Sequence, residues 1–148
     1  MSKTATIETL AALSDSDADA LEGLLGQLSS SATFDRVRME SLLSHDATEL
    51  LVARVDDQIV GMATLVSFPL PTGFRGFVED VVTDATMRGH GIGRLLLATM
   101  IDIAIDRGFR SLELTSRPSR ETALRLYESL GFIRRDTNVL RFTPEQRI

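Results

Sequence analysis

Three glycines at alternate positions, Gly89, Gly91 and Gly93, separate a run of β-forming residues from a long amphipathic pattern. Glycine has no Cβ and adopts positive φ readily, so this segment can turn sharply from a strand into a helix. The first amides of such a helix have no intrahelical partner and lie at the positive end of its dipole. Residues 88–94, here called the glycine loop, therefore indicate an anion site that suits a pyrophosphate.

The spacing of these glycines argues against two common phosphate-binding motifs. A Walker loop requires Gly-Lys-Ser/Thr, whereas Gly93 is followed by Arg94 and Leu95. The dinucleotide fingerprint G-x-G-x-x-G has a different spacing and usually lies in the first βα unit, whereas the glycine loop lies past the middle of the 148 residues. The alternative that the glycines only permit a tight turn stays open at this point.

Hydrophobic periodicity and turn residues predict the other elements. The predicted strands are residues 6–13, 49–55, 59–68, 76–83, 111–115, 132–134 and 138–142. The predicted helices are residues 14–29, 33–43, 91–107 and 118–131, with Ser14 and Ser119 expected to cap the first and the last of them. A hairpin turn is predicted at 56–57 and a loop at 69–73. A strand, helix and strand between residues 76 and 115 form a crossover, which predicts two parallel strands. The fold class is thus α/β, more closely an α+β mixed sheet flanked by helices.

Composition restricts the function classes. A chain of 148 residues with 43% hydrophobic and 25% charged residues is typical of one soluble globular domain, here residues 1–148. No run of about 18 apolar residues indicates a membrane span, so we expect a cytoplasmic protein with no membrane partner. The absence of cysteine excludes disulfides and a cysteine nucleophile, and with two histidines we expect no metal site. The net charge of -5 disfavours nucleic-acid binding.

The segment Arg88-Gly89-His90-Gly91-Ile92-Gly93 resembles the R/Q-x-x-G-x-G/A signature of the GCN5-related N-acetyltransferase (GNAT) superfamily. Residues 78–83 before it and 123–132 after it match the family's other two landmarks in order and spacing. The resemblance is specific over residues 76–132 and architectural over residues 1–70. It implies a central, mostly antiparallel sheet with a splayed parallel pair, and it implies acetyl-CoA as co-substrate.

The same resemblance assigns cofactor contacts. In this family the pyrophosphate lies on the loop amides, which here belong to Arg88, Gly89, His90, Gly91, Ile92, Gly93 and Arg94. The pantetheine arm pairs like an extra strand with the preceding strand, here through the backbone of Val81, Val82 and Thr83, near a bulge. The family often has an asparagine at the start of the later helix, where this chain has Arg120, which either reaches a CoA phosphate or is solvated.

Acetyl transfer to an amine needs an unprotonated nitrogen, so a positioned base assists it. Glu79 is the candidate, because the alternation Phe77/Glu79/Val81 places it beside the pantetheine face, where partial desolvation raises a carboxyl pKa. Several family members use a glutamate in this strand. Asp80 competes if a bulge exchanges the two faces, and either carboxylate could instead pair with an arginine or face solvent. For His90 we expect an amide contact and no acid–base role.

Tyr127 is the candidate acid and the only tyrosine in the chain. It lies on the apolar stripe of its helix, so its ring should be buried and its hydroxyl should need a partner. The family places a tyrosine at this motif position beside the CoA sulfur, where it donates a proton. The alternative is a core tyrosine whose hydroxyl bonds a backbone carbonyl.

The leading hypothesis is direct acetyl transfer from acetyl-CoA to a primary amine in a ternary complex, and the alternative is a non-catalytic acyl-CoA binding or sensing module. The acceptor is a small-molecule or peptide amine. In the family its choice depends on the regions that match residues 15–45, 68–76 and the segment after Phe132. Residues 1–74 carry 4 basic and 11 acidic side chains, which favours a cationic amine, whereas the Glu79-Asp80 order resembles amino-sugar acetyltransferases. Homodimers are common in the family.

Overall fold

A five-stranded sheet organises the first part of the chain in the computed structural model, which describes residues 4–146. Contacts divide the chain into two compact units, Met1–Thr115 and Ser116–Ile148. The helices and strands of the first unit are β1 (Thr6–Thr9), α1 (Asp15–Leu28), α2 (Arg36–Ser44), β2 (Thr48–Val55), β3 (Gln58–Leu70), β4 (Gly73–Thr83), α3 (Ile92–Asp106) and β5 (Ser111–Glu113). A short 3-10 helix, Ala85–Met87, precedes α3.

The strands lie in the order β1-β2-β3-β4-β5, with every neighbouring pair antiparallel except β4 and β5. The parallel pair is joined through α3, which confirms the predicted crossover. The mixed sheet flanked by helices confirms the α/β fold class, in its α+β form.

The two faces of this sheet take different helices, as adjacent residues of β3 show. Met62 belongs to a buried cluster that also contains Leu21 and Leu24 of α1. A Cβ on its neighbour Gly61 would lie 2.8 Å from the Ile92 side chain of α3, so only glycine allows this close approach. Because successive residues of a strand point to opposite faces, α1 and α3 cover opposite sides of the sheet.

Local sequence signals account for several boundaries. The Ser14 hydroxyl accepts a hydrogen bond from the Asp17 amide at 3.1 Å and caps α1 as predicted, while the Asp35 carboxylate caps α2, which begins three residues later than expected. Asp56 and Asp57 have φ of 50° and 65°, the positive values that a two-residue hairpin turn requires. Asp residues tolerate this conformation better than most.

Other predictions in the first unit are also wrong. β1 ends at Thr9 instead of residue 13, because the chain must reach the cap of α1. Residues 69–73 form a tight hairpin instead of a loop, with Leu70 paired to Gly73. Pro69 is tolerated in β3 because β2 pairs with β3 only as far as Thr48–Val66, so no ladder bond needs the missing amide.

The second unit contains one α-helix, α4 (Glu121–Ser129), and a 3-10 helix, Pro144–Gln146, within the described residues. The predicted cap Ser119 is wrong, since Arg120 occupies the N-cap position and its side chain makes no capping bond. The predicted closing strands over 132–134 and 138–142 are also wrong: the described chain has no strand there. Their apolar residues Ile133, Leu140 and Phe142 are exposed, so no ladder or core supports the alternating pattern.

Across residues 4–146, no helix combines the length and apolar character needed to cross a bilayer. The description of residues 1–148 as a single domain stays a prediction.

Arg54 joins three elements of the first unit by charge. Its guanidinium donates to both carboxylate oxygens of Asp17 at 2.9 and 2.8 Å and also pairs with Glu8 of β1. The side chains of Arg54 and Asp17 are only 19% and 13% exposed. The hydrogen bonds from Arg54 lower the pKa of Asp17 and outweigh the opposing effect of its burial.

We expect Asp17→Asn to lower the free energy of unfolding at pH 7 by about 1–3 kcal/mol, because it removes a charged acceptor from a shielded guanidinium. The folded-state pKa of Asp17 lies below its unfolded value, so its contribution is present above the unfolded pKa and is lost as pH falls through the folded pKa. Urea unfolding at pH 7 and near pH 3 measures both effects. Asp19→Asn, on the exposed side of the same helix, is the control; an equal loss in it would contradict this role of Asp17.

Candidate functional site

The parallel pairing of β4 with β5 covers only part of β4. Pairing runs from Arg75–Ser111 to Phe77–Glu113 and stops there. From Val78 to Thr83, β5 offers β4 no partner, while the opposite edge of β4 stays bonded to β3. This is the splayed pair that the resemblance implied. The backbone of Val81, Val82 and Thr83 therefore lies on an edge that an extended ligand can pair with.

A bulge lies in the same stretch of β4. Thr64 of β3 pairs with Glu79 and Met62 pairs with Val82, so β4 holds one extra residue between these two rungs. Asp80 in the bulge has φ of 52°. Positive φ disfavours most side chains, but Asp is among the few that adopt it, which gives Asp80 a conformational role.

The bulge corrects the predicted alternation. Phe77 and Glu79 share a face as expected, but Val82 replaces Val81 as the next residue on that face. It is the face that carries Met62 and is packed against α1. Glu79 therefore stays on the face of Phe77, whereas Asp80 sits at the bulge itself.

The environment of Glu79 changes its acidity. Partial desolvation raises the pKa of its carboxyl, and the negative charge of neighbouring Asp80 raises it further. Opposite it, Thr64 is buried. Although Glu79 is exposed, a carboxylate with a raised pKa is a stronger proton acceptor than one with an ordinary pKa, which suits a general base.

A cluster that sequence reasoning missed lies where the two strands part. The Arg75 guanidinium pairs with Glu113 at 3.0 Å and lies 5.2 Å from the Phe77 ring centre and 5.9 Å from that of Phe68. The two rings stack at 5.7 Å. We call these four residues the Arg75 cluster. It contains both residues of the last β4–β5 pair, Phe77 and Glu113, and Phe77 lies two residues before Glu79.

The glycine loop follows the open edge. Gly91 is the N-cap of α3 and has φ of 77°, a left-handed conformation that favours glycine. The first helical hydrogen bond runs from the Leu95 amide to the Gly91 carbonyl at 3.0 Å. The amides of Ile92 and Gly93 precede it and lack helical partners, and a Cβ placed on Gly91 would meet no protein atom within 4 Å apart from its neighbours in the chain. The loop can therefore admit an anion against the positive end of α3.

His90 braces the glycine loop. The residue is exposed, and its Nδ1 lies 3.1 Å from the carbonyl oxygens of both Met87 and Arg88. A protonated Nδ1 donates to these oxygens, which stabilises the turn. Both flanking arginines, Arg88 and Arg94, are exposed at the loop.

A second brace comes from α1. The side-chain amide of Gln27 bonds both Asp84 and the backbone of Ala85, just before the glycine loop. No local sequence pattern predicts this contact, because the partners are 57 and 58 residues apart.

Tyr127 lies in the second unit, on α4. It is 7% exposed, as the apolar stripe predicted, and its ring meets the edge of Phe132 at 6.2 Å. Arg120 stands exposed at the start of the same helix. Among residues 4–146, no three His, Asp or Glu side chains are grouped to hold a metal ion.

Comparisons with known proteins agree with this geometry. The sequence model of the Acetyltransferase (GNAT) family matches residues 12–132. A glucosamine 6-phosphate N-acetyltransferase of Trypanosoma brucei brucei is 32% identical over 131 residues, which cover 83% of this chain and 87% of that protein. An uncharacterized Mycobacterium leprae protein, ML0378, is 37% identical over 82 residues; these cover 55% of this chain but only 22% of that relative.

Among solved structures, a transcriptional regulator from Bacillus halodurans C-125 superposes with a TM-score of 0.81 and 27% identity, over 95% of this chain and 99% of that one. The family match extends over most of the sequence and includes the open strand edge and the glycine loop. The chain therefore belongs to the GNAT family of acetyltransferases.

Proposed function

We propose that this protein transfers the acetyl group of acetyl-CoA directly to a primary amine, with both substrates bound together. One observation carries the proposal: the open edge of β4 is followed, after the short turn of residues 84–87, by the glycine loop, so a strand-like arm and an anion have neighbouring places. The chain has no cysteine, which agrees with transfer that forms no thioester on the enzyme.

The residues present fit acetyl-CoA. The backbone of Val81, Val82 and Thr83 would pair with the pantetheine arm, and the amides of residues 88–94 would bind the pyrophosphate, with Arg88 and Arg94 supplying positive charge. When bound, the thioester supplies an acetyl group activated toward an amine.

Glu79 is the proposed base. Its carboxylate, made more basic by desolvation and by Asp80, would take the proton that the acceptor ammonium must lose before attack. Asp80 is the weaker candidate, because the left-handed bulge already accounts for an Asp at this position. Tyr127 is the proposed acid, whose hydroxyl would donate a proton to the CoA thiolate; its burial and its motif position support the assignment.

The acceptor is an amine that lies on the Glu79 face of the sheet. A related protein is named for its action on glucosamine 6-phosphate, which makes an amino-sugar phosphate the first acceptor to test. The acidic first half of the chain supports a cationic amine as the second class.

Thermal unfolding with acetyl-CoA, CoA, NAD and ATP tests the cofactor assignment. We expect stabilisation by the two CoA forms only, because a ligand at 100 times its Kd adds about 2.7 kcal/mol, which corresponds to roughly 5–10 °C for a domain of this size. Gly91→Glu should abolish the shift by adding negative charge at the pyrophosphate. Gly91→Gln, which imposes the same backbone strain without the charge, should retain a larger share of it.

No shift of wild type with either CoA form would overturn the acetyltransferase proposal. Binding without CoA release, across amino-sugar phosphates, polyamines, aminoglycosides and peptide amines, would instead favour a non-catalytic acyl-CoA sensing module.

Glu79→Gln should lower kcat about 10²-fold or more, the range that one positioned base contributes. In wild type, activity should rise with pH through a Glu79 pKa above its usual 4.5, because only the ionised carboxyl accepts a proton. The variant should lack this limb in a pH profile taken at saturating acetyl-CoA. Asp80→Asn is the matched control, since Asn also tolerates positive φ. The limb persisting in Glu79→Gln but vanishing in Asp80→Asn would assign the base to Asp80.

Tyr127→Phe should lower kcat about tenfold or more with little change in the KM for acetyl-CoA, because it removes the proton donor and keeps the ring. The aromatic contact with Phe132 should survive, so the melting temperature serves as the control. An unchanged kcat would make Tyr127 a core residue without a chemical role.

A further inference from the structure

Gln27 joins α1 to the end of β4 through both ends of its side-chain amide. Its Nε2 donates to Asp84 Oδ1 at 2.8 Å, and its Oε1 accepts the Ala85 amide proton, also at 2.8 Å. An amide that donates and accepts at once fixes the orientation of its partners as well as their distance.

Asp84 is the residue at which β4 gives way to the turn. Its amide donates to the Val60 carbonyl of β3 at 2.8 Å, and its own carbonyl accepts the Met87 amide at 2.8 Å, which closes the 3-10 helix. Its second carboxylate oxygen accepts the Thr86 hydroxyl at 2.5 Å. The bonds from Thr86 and Gln27 lower the pKa of Asp84, so the carboxylate is charged when it receives them.

The helix that carries Gln27 is a firm support. Leu21 and Leu24, one to two turns earlier, are 0% and 2% exposed and belong to the core cluster against the sheet. A group anchored in a packed core holds its partner more precisely than one on a mobile loop. The 3-10 helix ends at Met87, and the glycine loop begins at the next residue.

We propose that Gln27 is a positioning residue for the glycine loop: it holds Asp84 and Ala85 so that the following amides stand ready for the cofactor's pyrophosphate. The proposal rests on the proposed function of that loop as the CoA site. The physical reason is preorganisation. Where only a fraction of molecules has the loop in its binding arrangement, the apparent Kd rises as the inverse of that fraction.

Binding of CoA by calorimetry tests the proposal. Gln27→Ala removes both bonds and should raise the Kd for CoA about tenfold, the order expected for two exposed hydrogen bonds. With acetyl-CoA its KM should rise similarly while kcat at saturation stays close to wild type. Glu22→Ala, an exposed position on the same helix, controls for changed helix propensity and should leave the Kd unchanged.

Gln27→Glu separates the two bonds. Its carboxylate can still accept the Ala85 amide proton, but it faces the Asp84 carboxylate. Asp19 lines the same pocket as Gln27 and Asp84, and the positive charge of Arg88 in the loop lowers the pKa of Asp84. At pH 8 repulsion should weaken CoA binding at least as much as in Gln27→Ala. As the pH falls toward 5.5, the introduced carboxyl group and that of Asp84 share a proton, which restores a hydrogen-bond donor. The Kd of Gln27→Glu should therefore fall relative to the Kd of Gln27→Ala. Taking the ratio cancels the titration of CoA itself.

The outcomes are distinct. A tenfold loss in Gln27→Ala with unchanged kcat, together with the pH-dependent recovery of Gln27→Glu, supports the proposal. Wild-type Kd in Gln27→Ala overturns it and leaves the CoA site intact. A lower melting temperature with fewer binding sites but unchanged Kd also overturns it, because the role is then only structural. Failure of wild type to bind CoA rejects the proposed function first.

Discussion

The site depends on a backbone edge that the sheet leaves open. Buried amides and carbonyls normally require partners, and within a sheet the neighbouring strand supplies them. Here β5 pairs with β4 for three residues only and then ends, while β3 stays paired with β4 on the other side. Apart from the bulge at Asp80, the open groups of residues 78–83 are thus held in an extended arrangement before any ligand arrives. The bulge at Asp80 and the turn into α3 are both placed relative to this edge.

Short-range signals predicted the parts of the molecule in which local conformation decides. The glycine loop, the Ser14 cap and the turn at Asp56–Asp57 each rest on the preference of a few residues for a backbone geometry, and all three are where the sequence placed them. The crossover of β4, α3 and β5 followed from element order and handedness alone. These features required no knowledge of distant contacts.

Other parts depend on partners far apart in the chain. The Gln27 contact spans 57 residues, and the Arg75 cluster joins β3, β4 and β5, so neither leaves a pattern in a short window. The bulge was anticipated from the resemblance, but its consequence, the replacement of Val81 by Val82 on the Glu79 face, needed the register. The prediction of closing strands over 132–134 and 138–142 was wrong for a related reason: an alternating pattern forms a strand only where a neighbouring strand pairs with it.

His90 and Gln27 stabilise the glycine loop in different ways. His90 stabilises the turn from within, through hydrogen bonds to carbonyls two and three residues away. Gln27 instead connects the turn to α1, which is packed against the core. A loop that must expose its amides cannot use them to stabilise itself. Side chains therefore supply the rigidity that helical hydrogen bonds would otherwise give.

The Arg75 cluster also sets a length. It marks the rung at which β4 and β5 part, and the glycine loop marks the far end of the opening. Between them lie the six strand residues 78–83, which extend for at most about 20 Å because the bulge at Asp80 shortens them, and the turn of residues 84–87. The fold therefore sets the length of this opening. One end is the Arg75–Glu113 ion pair beside two aromatic rings, and the other end is the start of α3. Moving the last rung by two residues would change the length of the open edge by about 7 Å, and with it the length of extended ligand that could pair with β4.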